Sequence, residues 1–244
     1  KLSDRNFIAT SNEALPSMIV DLYAKAIEKG KSIKDTQVLI PMYKGETGIN
    51  EINNRIQEAI NPSNGGTELK HLNRVFRLRD KVIQLVNRAE KGVMNGDIGY
   101  VSGFTKKNDK ISGVEVSFDL HVVSYELEEL DDLTLAYAIS IHKSQGSEFE
   151  LVIMPFTTKR KLIYTGITRA KKTLLLIGDP QAMHLGIRKI EIERKTILKE
   201  ELKKYLYSDS ISSSLSKLLN DIDNDLQEDE LGAIETIIEE EDFN

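Results

Sequence analysis

Between residues 13 and 29, apolar side chains at Met18, Ile19, Leu22, Ala26 and Ile27 recur at the spacing of one helical face, and the pattern stops at Gly30. Residues 37–41 (Gln-Val-Leu-Ile-Pro) form an apolar run of strand length, which fits the middle of a parallel sheet covered on both faces. After Gly45-Glu46-Thr47-Gly48 a second helical stripe carries Ile49, Ile52, Ile56 and Ile60, and it breaks at Asn61-Pro62-Ser63-Asn64-Gly65-Gly66. This order of helix, buried strand and helix predicts an α/β body.

The period then changes. Residues 81–86 read as a strand, Asn95-Gly96-Asp97 as a turn leading into a strand at 98–101, residues 114–118 alternate with period two, and 121–125 make another strand. Four or five short strands in this stretch predict a small inserted β-barrel. The α/β pattern returns at Leu135, with an apolar run at 151–154, a helical stretch at 161–171 and a buried strand over 173–178 closed by Gly178-Asp179-Pro180. Helical patterns at 181–187 and 196–207 precede a Ser-rich linker and an acidic tail, within which 226–238 reads as one helix. The predicted organisation is a discontinuous α/β domain of residues 1–65 and 134–207, an insertion of 66–133, and a tail of 208–244.

Composition narrows the function classes. The 244 residues include no Cys, which excludes disulfides, thiol catalysis and Cys-ligated metals and fits a reducing, cytoplasmic setting. No apolar stretch is long enough for a membrane span, and the start at Lys1 has no apolar signal core. The formal charge of −6 hides an asymmetry: residues 218–244 hold 11 acids and no Lys or Arg. The remainder carries 33 basic against 28 acidic residues, a mildly basic body compatible with a polyanion partner and equally with an ordinary solvated surface.

Two stretches concentrate chemistry. Residues 136–149 gather Ser140, His142, Lys143, Ser144, Gly146, Ser147 and Glu148 at the exit of a buried strand. Hydroxyls, cationic donors and a glycine that admits close backbone approach suit phosphate oxygens, although an ordinary polar loop has the same composition. Residues 162–172 place Arg169 beside Thr165 and Thr168. A planar, permanently charged fork suits the charge that builds on a transferring phosphoryl group, and a surface ion pair is the alternative. With four His and no H-x-x-x-H spacing no zinc site is expected, and His71, His121 and His184 are assigned to surface or packing roles. Asp131-Asp132 and Glu128-Glu129 read as solvated loop acids, and Tyr100, Phe104 and Phe118 as barrel core with stacking on bases as the alternative.

Together these stretches resemble motifs V and VI of superfamily 1 helicases, most closely the RecD-like ATP-dependent DNA helicases. Residues 38–62 resemble the motif IV region, residues 76–99 the family's barrel insertion, and Gly178-Asp179-Pro180 the end of its last core strand. The resemblance spans residues 7–205 and implies a RecA-like, P-loop NTPase-type parallel-sheet domain with an inserted SH3-like barrel. It implies the second motor domain of an enzyme coupling ATP hydrolysis to 5′→3′ movement on single-stranded DNA in DNA repair and recombination. Carried over, Arg169 would be the arginine finger. Gly146, Glu148, Lys44 and Thr168 would lie at ATP, with Glu148 near the ribose and Thr168 orienting Arg169. Ser140, His142 and Lys143 would face the DNA backbone or link it to the nucleotide. Both stretches are expected to meet at the carboxyl rim of one sheet.

The chain departs from the pattern in three places. It has no G-x-x-x-x-G-K-[ST] and no identifiable acidic strand for Mg²⁺, so it is expected to be the C-terminal half of a longer helicase, inactive alone, completed by the N-terminal motor domain of the parent chain. Arg79 stands where the family usually has glycine, and the connection at 155–160 is shorter than usual. The competing readings are a non-catalytic module docking DNA or protein, and a related helicase acting on RNA or in conjugation.

Overall fold

A computed structural model describes residues 5–41, 48–108, 110–119, 121–157 and 160–181. Five strands form a wholly parallel sheet: β1 (Arg5–Ala9), β2 (Thr36–Ile40), β10 (Ala138–Ser140), β11 (Phe149–Pro155) and β12 (Ala170–Gly178), in the order β1-β12-β11-β2-β10. Alternate residues of each strand serve different layers. Val38, Ile40, Leu151 and Ile153 join Ile19 and Tyr23 of α1 (Leu15–Glu28) and Ile52 and Ile56 of α2 (Ile49–Ile60) in one cluster. Leu39, Val152, Met154, Leu174 and Leu176 join Ile163 and Ile167 of α3 (Arg160–Ile167) in another. Coverage of both faces explains why β2, β11 and β12 read as continuous apolar runs. Gly166 lies against the Met154 thioether so closely that a Cβ there would overlap it, which is how α3 seats on β11.

Between α2 and β10 the chain makes a hairpin, β3 (Glu68–His71) with β4 (Arg74–Arg77), and then an antiparallel five-stranded sheet. Its strands are β5 (Lys81–Gln84), β6 (Ile98–Lys107), β7 (Lys110–Ser117), β8 (Val122–Glu126) and β9 (Leu133–Leu135), in the order β8-β7-β6-β5-β9. Register shifts between Val101 and Gly103 and between Thr105 and Lys106 mark where the long β6–β7 ribbon bends, as a small SH3-like barrel requires. The whole is an α/β fold of the RecA-like, P-loop NTPase type, interrupted by that barrel.

The insertion is fastened to the parallel sheet by buried polar groups. The Asp80 carboxylate, fully buried, accepts from Gln57 Nε2 (2.5 Å) of α2, from Asn61 Nδ2 (2.8 Å) just past its end, from the Arg77 amide (2.6 Å) and from the Tyr137 hydroxyl (2.8 Å). Burial pushes its carboxyl above the usual range even so. The Lys81 ammonium, also fully buried, donates to the Ile33 (2.9 Å) and Lys34 (3.5 Å) carbonyls ahead of β2 and to that of Thr36 (3.1 Å), the first residue of β2, and sits 5.3 Å from the Phe149 ring centre.

Several expectations are corrected. β1 and the β3–β4 hairpin were not legible as strands. The helix expected over 161–171 ends at Ile167, because Thr168 and Arg169 turn and Ala170 pairs with Phe149 in the sheet. Asp132 and Glu129 are partly buried and ion-paired to Arg88 and Lys91, so these two brace the insertion, while Asp131, though paired with Arg74, stays solvent-exposed as expected. Phe118 is buried, and Tyr100 and Phe104 are half-buried. His121 packs on Phe118 and its Nε2 lies 3.0 Å from the Lys91 carbonyl, while His71 meets Asp131 at 3.0 Å. Lys44, His184, the helices at 181–187 and 196–207 and the tail of 208–244 lie outside the described residues, within 42–47 or beyond Gln181. No helix among the described residues is long and apolar enough to cross a membrane.

Candidate functional site

The two chemistry-bearing stretches touch, but they do not share a carboxyl rim. Ser140 ends β10 and stands at the carboxyl end of the strands. Phe149 and Ala170, paired in register, open β11 and β12 at the amino end. Residues 141–148 therefore run from one end of the sheet to the other, because in parallel strands the residue after one strand and the residue before the next lie at opposite ends.

At the amino end, Arg169 Nη1 donates to the Ser147 carbonyl (3.2 Å), Nε to the Thr165 carbonyl (3.2 Å) and Nη2 to the Thr168 hydroxyl (3.0 Å). Thr168 in turn donates to the Thr165 carbonyl at 2.9 Å, and the Phe149 amide donates to the Arg169 carbonyl at 2.8 Å. All three acceptors of the guanidinium are neutral, and among the described residues it makes no ion pair. The arrangement aims a half-buried cation without neutralising it. Gly146, with φ +84°, follows Gln145 (φ −59°, ψ 131°), and the Ser147 amide donates to the Ser144 carbonyl at 3.0 Å. That is a type II turn, whose third position favours glycine. Glu148 is exposed and pairs with Lys171 at 3.2 Å.

At the carboxyl end, a short 3₁₀ turn carries His142 and Lys143. The Ser140 hydroxyl accepts from the Lys143 amide (3.2 Å), and His142 is exposed. Lys143 Nζ reaches Asn95 Oδ1 of the insertion at 3.4 Å, and burial holds its ammonium below the ordinary lysine range. Ser144 is removed from the set of free hydroxyls: it is buried and donates to the Ile141 carbonyl at 2.6 Å. Ser140 and Lys143 form one side of a groove of about 520 Å³, with Asn50, Asn53 and Asn54 of α2 on another and Leu72 of the hairpin tip at its lip.

The sequence reading missed this groove. Asn53 clamps β10, donating to the Ala138 carbonyl and accepting its amide, both at 2.8 Å, so that a side chain completes an edge strand's hydrogen bonds. The available signal was a polar residue next to the isoleucine stripe of α2. No group of three or more His, Asp or Glu among the described residues could hold a metal ion.

Two family models match the chain: the SH3 domain of ATP-dependent RecD-like DNA helicases over residues 52–118, and the C-terminal domain of UvrD-like helicases over 135–177. The ATP-dependent RecD2 DNA helicase of Deinococcus radiodurans is 32% identical over 178 residues, 69% of this chain and 24% of that protein. The RecBCD enzyme subunit RecD of Buchnera aphidicola subsp. Schizaphis graminum is 29% identical over 179 residues, 69% of this chain and 27% of that protein. A Pif1 helicase from Bacteroides, solved with ADP-AlF3 and ssDNA, aligns with 82% of this chain and 55% of its own at 17% identity and a TM-score of 0.43. The chain spans about a quarter of the length of the curated relatives it matches. The barrel and the segment that carries the 140–149 loop and Arg169 are thus each matched by helicase models, in that order along one polypeptide, and the chain belongs to the RecD-like helicases.

Proposed function

We propose that this chain supplies one side of the ATP site and one stretch of the single-strand track of a 5′→3′ DNA helicase, a cytoplasmic enzyme of DNA repair and recombination. In this reading residues 1–65 and 134–207 are the second motor domain, 66–133 its inserted barrel, and the N-terminal motor domain of the parent chain brings the phosphate-binding loop and the acidic groups for Mg²⁺. The observation that carries the reading is the Arg169 guanidinium, oriented by two carbonyls and a hydroxyl and left without a carboxylate among the described residues. ATP, when bound, supplies the phosphoryl group. Arg169 then offers positive charge where negative charge builds, Thr168 holds the fork in place, and Gly146 lets the 144–147 turn approach closely. Glu148 would have to exchange Lys171 for a ribose hydroxyl, an exchange that costs little because both partners are exposed. Lys44 remains a candidate for the same site.

At the other end of the sheet, Ser140, His142 and Lys143 would face the DNA backbone. Residues 141–148 join the two ends, which gives a covalent route between nucleotide and strand. Arg169→Ala in the full-length protein is expected to lower DNA-stimulated ATP turnover by about 10³-fold or more, in line with arginine fingers generally. Single-strand affinity should change by less than about threefold, because Arg169 lies at the end of the sheet opposite Ser140 and Lys143. Arg169→Lys should stay impaired, since an ammonium cannot reproduce the fork. Unchanged turnover in Arg169→Ala would overturn the assignment. Loss of strand binding with turnover intact would favour the docking-module reading.

A further inference from the structure

We infer that the groove between α2, the β3–β4 hairpin and β10 is a nucleobase pocket, in which one base of a bound strand lies against Leu72 while its phosphate reaches Lys143. The inference rests on the reading that residues 140–143 face the strand, and adds to it a base contact from the insertion.

Leu72 carries the argument. It is 76% exposed, the most exposed large apolar side chain among the described residues, and its φ is +52°. A bulky L residue in the left-handed region is strained, and turns of this kind normally take glycine, asparagine or aspartate there. Strain with exposure persists only where the surroundings enforce it. Here they do: the residues before and after the tip are tied to one acid, His71 Nε2 to Asp131 Oδ1 at 3.0 Å and Arg74 Nη2 to the same oxygen at 3.2 Å, and Arg74 also donates to the Leu130 and Leu133 carbonyls. The tip is thereby held at the lip of the groove.

The groove has the character of a base site. Its floor is apolar, from Ile83, Leu85 and Ile139, and its rim offers amides from Asn50 and Asn54, which can read base edges. Among the described residues, the one cation on its wall not engaged with a carboxylate or with carbonyls of the main chain is Lys143. Aliphatic contact below, amides at the side and a single positive charge at the end match one nucleotide of a single strand better than a peptide, which would need paired backbone donors and acceptors.

The test is equilibrium binding of the full-length protein to a labelled twelve-nucleotide dT strand and to an equally long strand of abasic units. The wild type is expected to favour dT. Leu72→Gly, which relieves the backbone strain while removing the side chain, should weaken dT binding by about threefold to fivefold, at or below the low end for a base stacked on an aromatic ring because leucine offers apolar contact without a π-face, and leave the abasic strand unchanged. Leu72→Met should restore it. No change on dT, or equal losses on both strands, overturns the inference. Lys143→Ala separates the two readings: a loss on both strands in that variant with none in Leu72→Gly sinks the base pocket and keeps the strand-facing loop, whereas no change in either variant sinks both. A wild type that does not discriminate between the strands assigns the groove to another occupant, such as a protein segment, and also overturns it.

Discussion

Arg79 holds φ at +72° in the turn that delivers Asp80 and Lys81 to the junction, with its amide bonded to the Val101 carbonyl at 2.8 Å. The left-handed region costs an L residue about 1–2 kcal/mol, and glycine recovers this less the larger entropy of its unfolded chain. Arg79→Gly should therefore stabilise the protein by about 0.5–1 kcal/mol, read as a higher urea midpoint at unchanged slope. A lower midpoint would mean that the arginine side chain makes an offsetting contact. At this scale the sequence was informative where a residue's type is tied to a backbone need or to a fixed charge. Gly146 in its type II turn and Arg169 on the neighbouring loop both stand out from the order of residues alone. It was uninformative where a side chain's partner is its own backbone: nothing in that order says that the Ser144 hydroxyl is occupied by Ile141 while Ser140 stays at the edge of a groove.

The elements that were legible are those whose packing dictates their pattern. β2, β11 and β12 are covered on both faces, and α1 and α2 on one, so periodicity reported them faithfully. β1 was hidden because its five residues carry a brief apolar signal. The β3–β4 hairpin was hidden because charged residues, among them Arg77 paired with Glu58 and Glu68 and Arg74 paired with Asp131, outnumber the apolar Leu69, Val75 and Phe76 along its two short strands. β5 illustrates a further gap. Its first residue, Lys81, counts as polar in any pattern, yet its ammonium is buried against three carbonyls with Asp35 as the charged group that favours protonation, and burial depresses it to about 7. Between that value and the ordinary lysine value of 10.5 the unfolded chain binds the proton and the folded chain does not. The free energy of unfolding should thus rise with pH from about 7 to 9.5, by up to about 1.4 kcal/mol per pH unit, from this group. Denaturant titrations across that window should show the rise in the wild type and its loss in Lys81→Met. A flat wild-type profile would show that the carbonyls and the Phe149 ring hold the proton against burial.

For the whole molecule, the absence of a metal-binding acidic group among the described residues and of a phosphate loop in the sequence sets a clear expectation. The 244-residue chain alone should turn over no ATP, and should bind single strands weakly with a steep salt dependence. Lys143→Ala should flatten the log–log salt slope by about 0.7, the value for one phosphate contact on a single strand. Robust turnover by this chain would contradict the reading of an incomplete site. The register of the parallel sheet carries a mechanical corollary. From Ser140 to Phe149 the path must descend about six residues of strand rise and cross the width of β2, a separation of about 22 Å. A 3₁₀ turn and a type II turn within those nine peptide links cut their reach to about 25 Å. So little slack remains that neither anchor can travel more than a few ångströms without either dragging the other or unwinding one of the turns, and the 141–148 segment behaves less like a surface loop than like a tensioned cord.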